Sequence, residues 1–267
     1  MPHAAGLWYE WHGPEDGEVL ILSAGLGGTG GYWAPNLAAF AETYRVLLYD
    51  QRGTGRSDRA LPAQVDISDM AEDVLLLMQA LEIGQAHFVG HALGGLIGLA
   101  VARVAPRRLR KLVVVNGWAS LDPYTARCFD VRLTLLRDSG LDAYLRAQPI
   151  FLYPPGWISV NSDALDRHAT ALRASCGGAE VLEKRIEAAR RFDFADQLPL
   201  IETPVLVLAA ADDALVPSHC ARPLAEGLPN AKRMLQFDGG HACNVTEPGD
   251  FHDRVLPWLA GRTFPEE

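Results

Sequence analysis

Residues 86–95 read Ala-His-Phe-Val-Gly-His-Ala-Leu-Gly-Gly. An apolar strand runs into a Gly-x-Ala-x-Gly turn, and a helix of small residues follows. Such a strand–turn–helix presents its middle residue on a sharp bend, where Ser, Cys or Asp would attack a bound substrate. Here the middle residue is Ala92, a methyl group. The attacking atom is missing, so the chemistry left to the chain depends on what else the sequence brings to this position.

Three further segments carry groups that could act there. Ser23-Ala24-Gly25-Leu26-Gly27-Gly28 ends an apolar run. A glycine-rich loop at that place can aim a backbone N–H inward, and the Leu26 and Leu93 N–H groups are the candidate oxyanion-hole pair. Asp212-Asp213-Ala214-Leu215-Val216-Pro217 follows a second apolar run. Asp213, four residues before Pro217, is expected to be the orienting carboxylate and Asp212 a solvated loop charge. Gly239-Gly240-His241 comes last. The glycines allow a sharp turn, and the acid-then-histidine order makes His241 the expected general base.

This set lacks a nucleophile but not a mechanism. A base, an acid that orients it and two N–H donors can polarise a substrate oxygen while His241 deprotonates water for direct attack. Where a serine protease loses a triad member, a residual ~10³–10⁴-fold over water remains. A substrate with a low intrinsic barrier needs no more. Cys243 sits two residues past His241 on a different loop from Ala92, and nothing in the pattern aims it at the elbow.

The elements that must position these groups are legible as alternating patterns. Strands are expected at Leu7–Trp11, Val19–Ser23, Tyr44–Tyr49, Ala86–Val89, Leu112–Val115, Val205–Ala209 and Met234–Gln236. Most are continuously apolar, as strands buried on both faces of a largely parallel sheet must be. Ser68–Leu81 has helical apolar spacing, and Leu93–Ala105 reads as a buried helix stopped by Pro106. The stretch between residues 115 and 205 is too long for a loop. Helical patterns at Pro123–Arg137, Leu141–Arg146, Asp163–Arg173 and Val181–Arg190 make it a helical insertion, placed where a lid over a site would sit. The expected division is a core of residues 1–118 and 202–267 with a lid of residues 119–201. Tyr153 and Trp157 are read as lid packing. Asp50-Gln51-Arg52-Gly53-Thr54-Gly55 has two glycines but no following Lys-Ser/Thr, so it is read as structural, with Arg52 tying neighbouring loops.

Composition narrows the partners. The chain has 267 residues, of which 49% are hydrophobic, with a net charge of −9. That suits one globular unit and argues against nucleic acid. No run approaches the ~18–20 apolar residues of a membrane span. No secretory signal opens the chain, and the four scattered cysteines suit reduced thiols, so a cytoplasmic location is expected. No metal-ligand spacing and no dinucleotide fingerprint occurs, and no cofactor is expected. The expected partner is a small-molecule substrate; a homodimer is left open.

Together these motifs resemble the α/β-hydrolase superfamily. Finer strings narrow the resemblance to the RutD family of the bacterial Rut pathway for pyrimidine breakdown. They are Asp50–Gly55, Gly90-His91-Ala92-Leu93-Gly94, Val115-Asn116-Gly117-Trp118, Arg127-Cys128-Phe129, Gln148-Pro149, Phe151–Pro154 and Gly239–Thr246. The likeness runs from about residue 19 to the C-terminus, and the alanine of the elbow is part of the family pattern. The resemblance implies hydrolysis of a small, labile carboxylated nitrogen compound, carbamate or 3-aminoacrylate. Such an anion needs a counter-charge or further donors. Asn116 and Trp118, just past a core strand, and Arg127, at the start of the insertion, are the candidates. Three other readings stay open: a ligand-binding protein on a hydrolase scaffold, a lyase or dioxygenase using the same His–Asp pair, and a serine esterase carrying an introduced alanine at 92.

Overall fold

The computed structural model describes residues 2–236 and 238–262, and within them eight strands form one sheet. They are β1 (His3–Ala4), β2 (Leu7–His12), β3 (Val19–Ser23), β4 (Arg45–Tyr49), β5 (Ala86–His91), β6 (Leu109–Val115), β7 (Val205–Ala210) and β8 (Ala231–Gln236). Their spatial order is β1-β2-β4-β3-β5-β6-β7-β8. The first two pairings in that order are antiparallel, and every later one is parallel. All seven expected strands are present. β6 and β8 begin three residues earlier than apolarity alone suggests, because Arg110, Lys111, Lys232 and Arg233 fall within them.

The sheet separates two apolar layers, and strand alternation assigns each residue to one of them. Ile21, Leu47, Phe88, Leu112, Val114 and Val207 face a layer built on α2 (Ile67–Ala80) and α3 (Leu93–Val104). Leu20, Leu22, Val46, Leu48, Val89, Val113 and Leu206 face the other. There Phe40 of α1 (Ala34–Ala41) meets Phe251, Val255 and Leu259, which sit on the C-terminal helix Pro248–Leu259.

Between β6 and β7 the chain makes four helices: α4 (Pro123–Thr134), α5 (Leu141–Leu152), α6 (Pro155–Ser175) and α7 (Ala179–Arg191). A wide π-type turn, Leu135–Ser139, joins the first two. Helix α5 runs through Pro149, and α6 starts at Pro155, so both exceed their expected lengths. The two ends of the insertion are stitched together by a bridge between Ser120 and Asp193 and by the Phe194 N–H to Ala119 O bond of 2.8 Å. After β7 come α8 (Ala221–Gly227), the single turn α9 (Cys243–Thr246) and α10 (Pro248–Leu259). Arg52 lies on the loop after β4 and spans two elements, gripping Asp73 of α2 at 2.7 Å and Ala5 O at 2.9 Å.

Candidate active site

The elbow forms where β5 meets α3. Ala92 has φ 46° and ψ −114°, a backbone region that costs a non-glycine residue about 1–3 kcal/mol. Neighbouring packing holds it there. Its N–H donates to Val115 O at 2.8 Å, and its carbonyl accepts from Gly95 N–H at 2.8 Å. Gly90 and Gly94 permit the turn, since a β-carbon at Gly90 would collide with the Gly94 carbonyl and one at Gly94 with the Ser23 carbonyl. Leu93 is the first residue of α3, where N–H groups have no intrahelical partner and the helix dipole is positive. The strained bend is therefore complete although its middle residue carries no reactive atom.

The loop after β3 brings Leu26 to the same cavity as Leu93. A buried cation from the insertion holds that loop. Arg185 of α7, 1% exposed, donates to Leu26 O at 3.0 Å, to Gly25 O at 3.2 Å and to the Gln51 side-chain oxygen. Gln51 in turn donates to Ala24 O at 2.7 Å. Desolvation lowers the Arg185 guanidinium to about 10, so it stays charged at neutral pH.

His241 reaches the cavity floor from the loop that follows β8, with Asp213 behind it on the loop that follows β7. His241 Nδ1 lies 2.8 Å from Asp213 Oδ2, and both side chains are buried. The other carboxylate oxygen accepts the Leu215 and Val216 N–H groups, each at 2.8 Å. A carboxylate only accepts, so the proton sits on Nδ1 and the Nε2 lone pair is left to act as the base. The His241 carbonyl is clamped by Asn116 Nδ2 at 2.8 Å and His91 Nε2 at 2.7 Å. His91 is sandwiched between Tyr32 and His241, with ring centroids 4.8 and 4.7 Å away. Burial first, then the neighbouring His241, holds it well below the ordinary histidine range.

The cavity over this floor is about 290 Å³. Of the residues expected to serve the site, Leu26, Ala92, Leu93, Trp118 and His241 line it. Asp213 stands one hydrogen bond behind, through His241. Asn116 does not face it. With φ 51° and its side-chain oxygen on Ala210 N–H at 2.9 Å, it fastens the His241 loop to the sheet end. Arg127 is a correction: it is exposed, and the α4 cation that lines the cavity is Arg132. On α4 the buried face runs through Cys128, Phe129, Arg132 and Leu133, which turns position 127 outward. Tyr153 stacks on Trp157 at 4.6 Å, as lid packing would, but it also lines the cavity.

Asp212 is a second correction. It is not merely solvated, because it accepts the Gly240 N–H at 2.8 Å and the Gly239 N–H at 3.2 Å and so draws in the histidine loop. Cys243 is outside the cavity lining. Burial, reinforced by the Asp213 charge, pushes its thiol up to about 12, which keeps it protonated and a poor nucleophile. A second, more open cleft lies beside α2, α3 and α7, but no histidine or cysteine lines it. Among the described residues, Asp122, His219 and Cys220 bring three ligand-type atoms together, away from the cavity. There His219 pairs with Asp122 at 2.9 Å while Asp122 caps the Tyr124 N–H.

This sheet order, with an elbow at the end of a central strand and acid and histidine on later loops, defines the α/β-hydrolase class. The chain matches the alpha/beta hydrolase fold family over residues 18–248 and belongs to it. Among solved structures it is similar to a hydrolase from Pseudomonas aeruginosa, with TM-score 0.83, 31% identity and coverage of 95% of this chain and 94% of that one. It is also similar to the enol-lactonase from Burkholderia xenovorans, with TM-score 0.87, 26% identity and coverage of 95% and 96%. Among curated proteins, a Caulobacter relative named "Putative carbamate hydrolase RutD" is 48% identical over 258 residues, 96% of either chain. The chain belongs to the RutD family and is a hydrolase. No helix among the described residues is long and apolar enough to cross a membrane.

Proposed function

We propose that this chain accelerates the hydrolysis of a small, labile carboxylated nitrogen compound, carbamate or 3-aminoacrylate, in pyrimidine breakdown. The reaction uses activated water and no covalent enzyme intermediate. The observation that carries the reading is the Asp213–His241 pair, held at 2.8 Å and fully buttressed beside an elbow whose middle residue is Ala92. The relatives' name supports the substrate class.

In this scheme His241 Nε2 takes a proton from water, and the oxygen adds to the amino-bearing carbon of the substrate. Leu26 and Leu93 N–H groups stabilise the negative charge that develops on a substrate oxygen. The C–N bond then breaks, the proton on His241 passes to the nitrogen, and ammonia leaves. Asp213 keeps the imidazole in the tautomer this exchange needs and stabilises the imidazolium. Carbamate yields bicarbonate, and 3-aminoacrylate yields the enol of the three-carbon aldehyde acid, which becomes the aldehyde by losing its enol proton and taking one from water at C2. The spontaneous lability of both compounds suits a site without a serine.

The test is ammonia release from each compound with wild type, His241→Ala and no protein. Wild type is expected about 10³-fold above the blank, with His241→Ala within tenfold of it. Equal rates for wild type and His241→Ala would remove the histidine from the mechanism. A wild-type rate equal to the blank would make the chain a binding protein.

A further inference from the structure

We propose that Arg132, with Tyr144 and Gln148, forms the carboxylate-binding wall of this cavity, so that the insertion selects small monocarboxylates over neutral compounds of the same shape. The inference rests on the reading that the cavity is the reaction site.

Arg132 is 2% exposed, yet among the described residues no carboxylate pairs with it. A guanidinium has five N–H bonds. Its NH2 group donates to Tyr144 OH at 2.8 Å and to the Gln148 side-chain oxygen at 2.9 Å. Its Nε and NH1 atoms, which carry the other three, have no acceptor. The rings of Phe129, Tyr144 and Phe151 surround the group at 5.5–5.7 Å and fix its position. Holding an unpaired cation out of water is unfavourable, and an entering anion offsets that.

The two neighbours reinforce the charge. Tyr144 and Gln148 turn their acceptor oxygens to Arg132, so the phenol proton and the amide NH2 remain as donors. Both line the cavity with Arg132, and no Asp or Glu is among the lining residues. A cation, two donors and no competing carboxylate make a site for an anion. Arg132 approaches from the insertion, whereas His241 and Ala92 approach from the sheet.

Calorimetric titration of the intact protein with propionate and with propionamide, its uncharged isostere, tests this. Wild type is expected to bind propionate at least tenfold more tightly than propionamide. Arg132→Gln should weaken propionate at least tenfold and leave propionamide unchanged, with Arg132→Lys in between. Equal affinities for acid and amide on wild type would overturn the proposal, and that comparison needs no variant to fold. Unweakened propionate binding by folded Arg132→Gln would also overturn it. A preference for propionate in a protein with no turnover would sink the proposed hydrolysis and leave this site standing. Turnover without the preference would sink this site alone.

Discussion

Replacing Arg185 with methionine should damage turnover more than it damages the fold. The Gly25–Leu26 peptide is planar and trans, so its carbonyl and its N–H point in opposite directions. Arg185, holding Gly25 O at 3.2 Å and Leu26 O at 3.0 Å from behind, thereby fixes where the Leu26 N–H points. Burial moves the guanidinium from 12.5 to about 10, an unfavourable contribution of roughly 3 kcal/mol that the substitution relieves. Against this, the Leu26 and Gln51 oxygens lose their partner at about 1–3 kcal/mol each, while Gly25 O keeps the Gly28 N–H at 3.1 Å. The net loss is at most about 3 kcal/mol, at about 2–4 °C of Tm per kcal/mol at this size. Loss of a fixed oxyanion donor, however, lowers kcat by about 10²–10³, which consumes most of the enhancement expected here. Arg185→Lys keeps a charge but loses the planar fork that spans these acceptors, so it should fall between. The assay is ammonia release at a temperature where thermal melts show each variant at least nine-tenths folded. A folded Arg185→Met protein with the wild-type rate would refute the argument that the insertion aims the donor. A rate that falls only in step with the folded fraction would refute it equally.

Two other outcomes check the remaining parts of the site. Ala92→Ser places a hydroxyl on the strained bend beside His241, so p-nitrophenyl acetate turnover should rise at least about 10²-fold. Fluorophosphonate labelling should appear at residue 92, where wild type has none; an unlabelled Ala92→Ser protein would mean that His241 is not aligned with the elbow. His91 is neutral in the fold because its protonation is pushed well below 6.5, while the unfolded chain protonates it normally. Stability is thus unaffected above about pH 6.5 and falls by about 1.4 kcal/mol per pH unit below it. Urea melts of His91→Gln between pH 6.5 and 5 should show a slope shallower by that amount, and identical slopes would contradict the assignment.

The sequence carried the local parts of this site well. The elbow, Asp213 and His241 each sit at the end of an apolar strand, and a strand end followed by glycine or a short polar loop is a local pattern. Helix α4 is visible in the sequence, and its run Cys128, Phe129, Arg132, Leu133 points to Arg132 rather than Arg127 as the inward cation. Asp212 and Arg185 leave no local signal. The partners of Asp212 lie 27 and 28 positions away, and the Gly25 carbonyl lies 160 from Arg185. Their roles follow from which backbone groups the fold leaves open. Helices α1 and α8 span only eight and seven residues, and α10 carries Pro257 inside it, so none offers a long uninterrupted helical period to read.

The grip of Arg185 on the Gly25 and Leu26 carbonyls bears on how such enzymes can be recombined. Core and insertion look like separable modules, the one carrying the elbow and the other covering it. Yet the Leu26 carbonyl of the core's own loop is held by a side chain that only the insertion supplies, and the Gly25 carbonyl shares that side chain with the Gly28 N–H. Grafting a foreign insertion onto this core would open the Leu26 acceptor and loosen the donor between the two carbonyls. Descent with exchange of insertions is thus closed to this chain unless an equivalent of Arg185 travels with the graft.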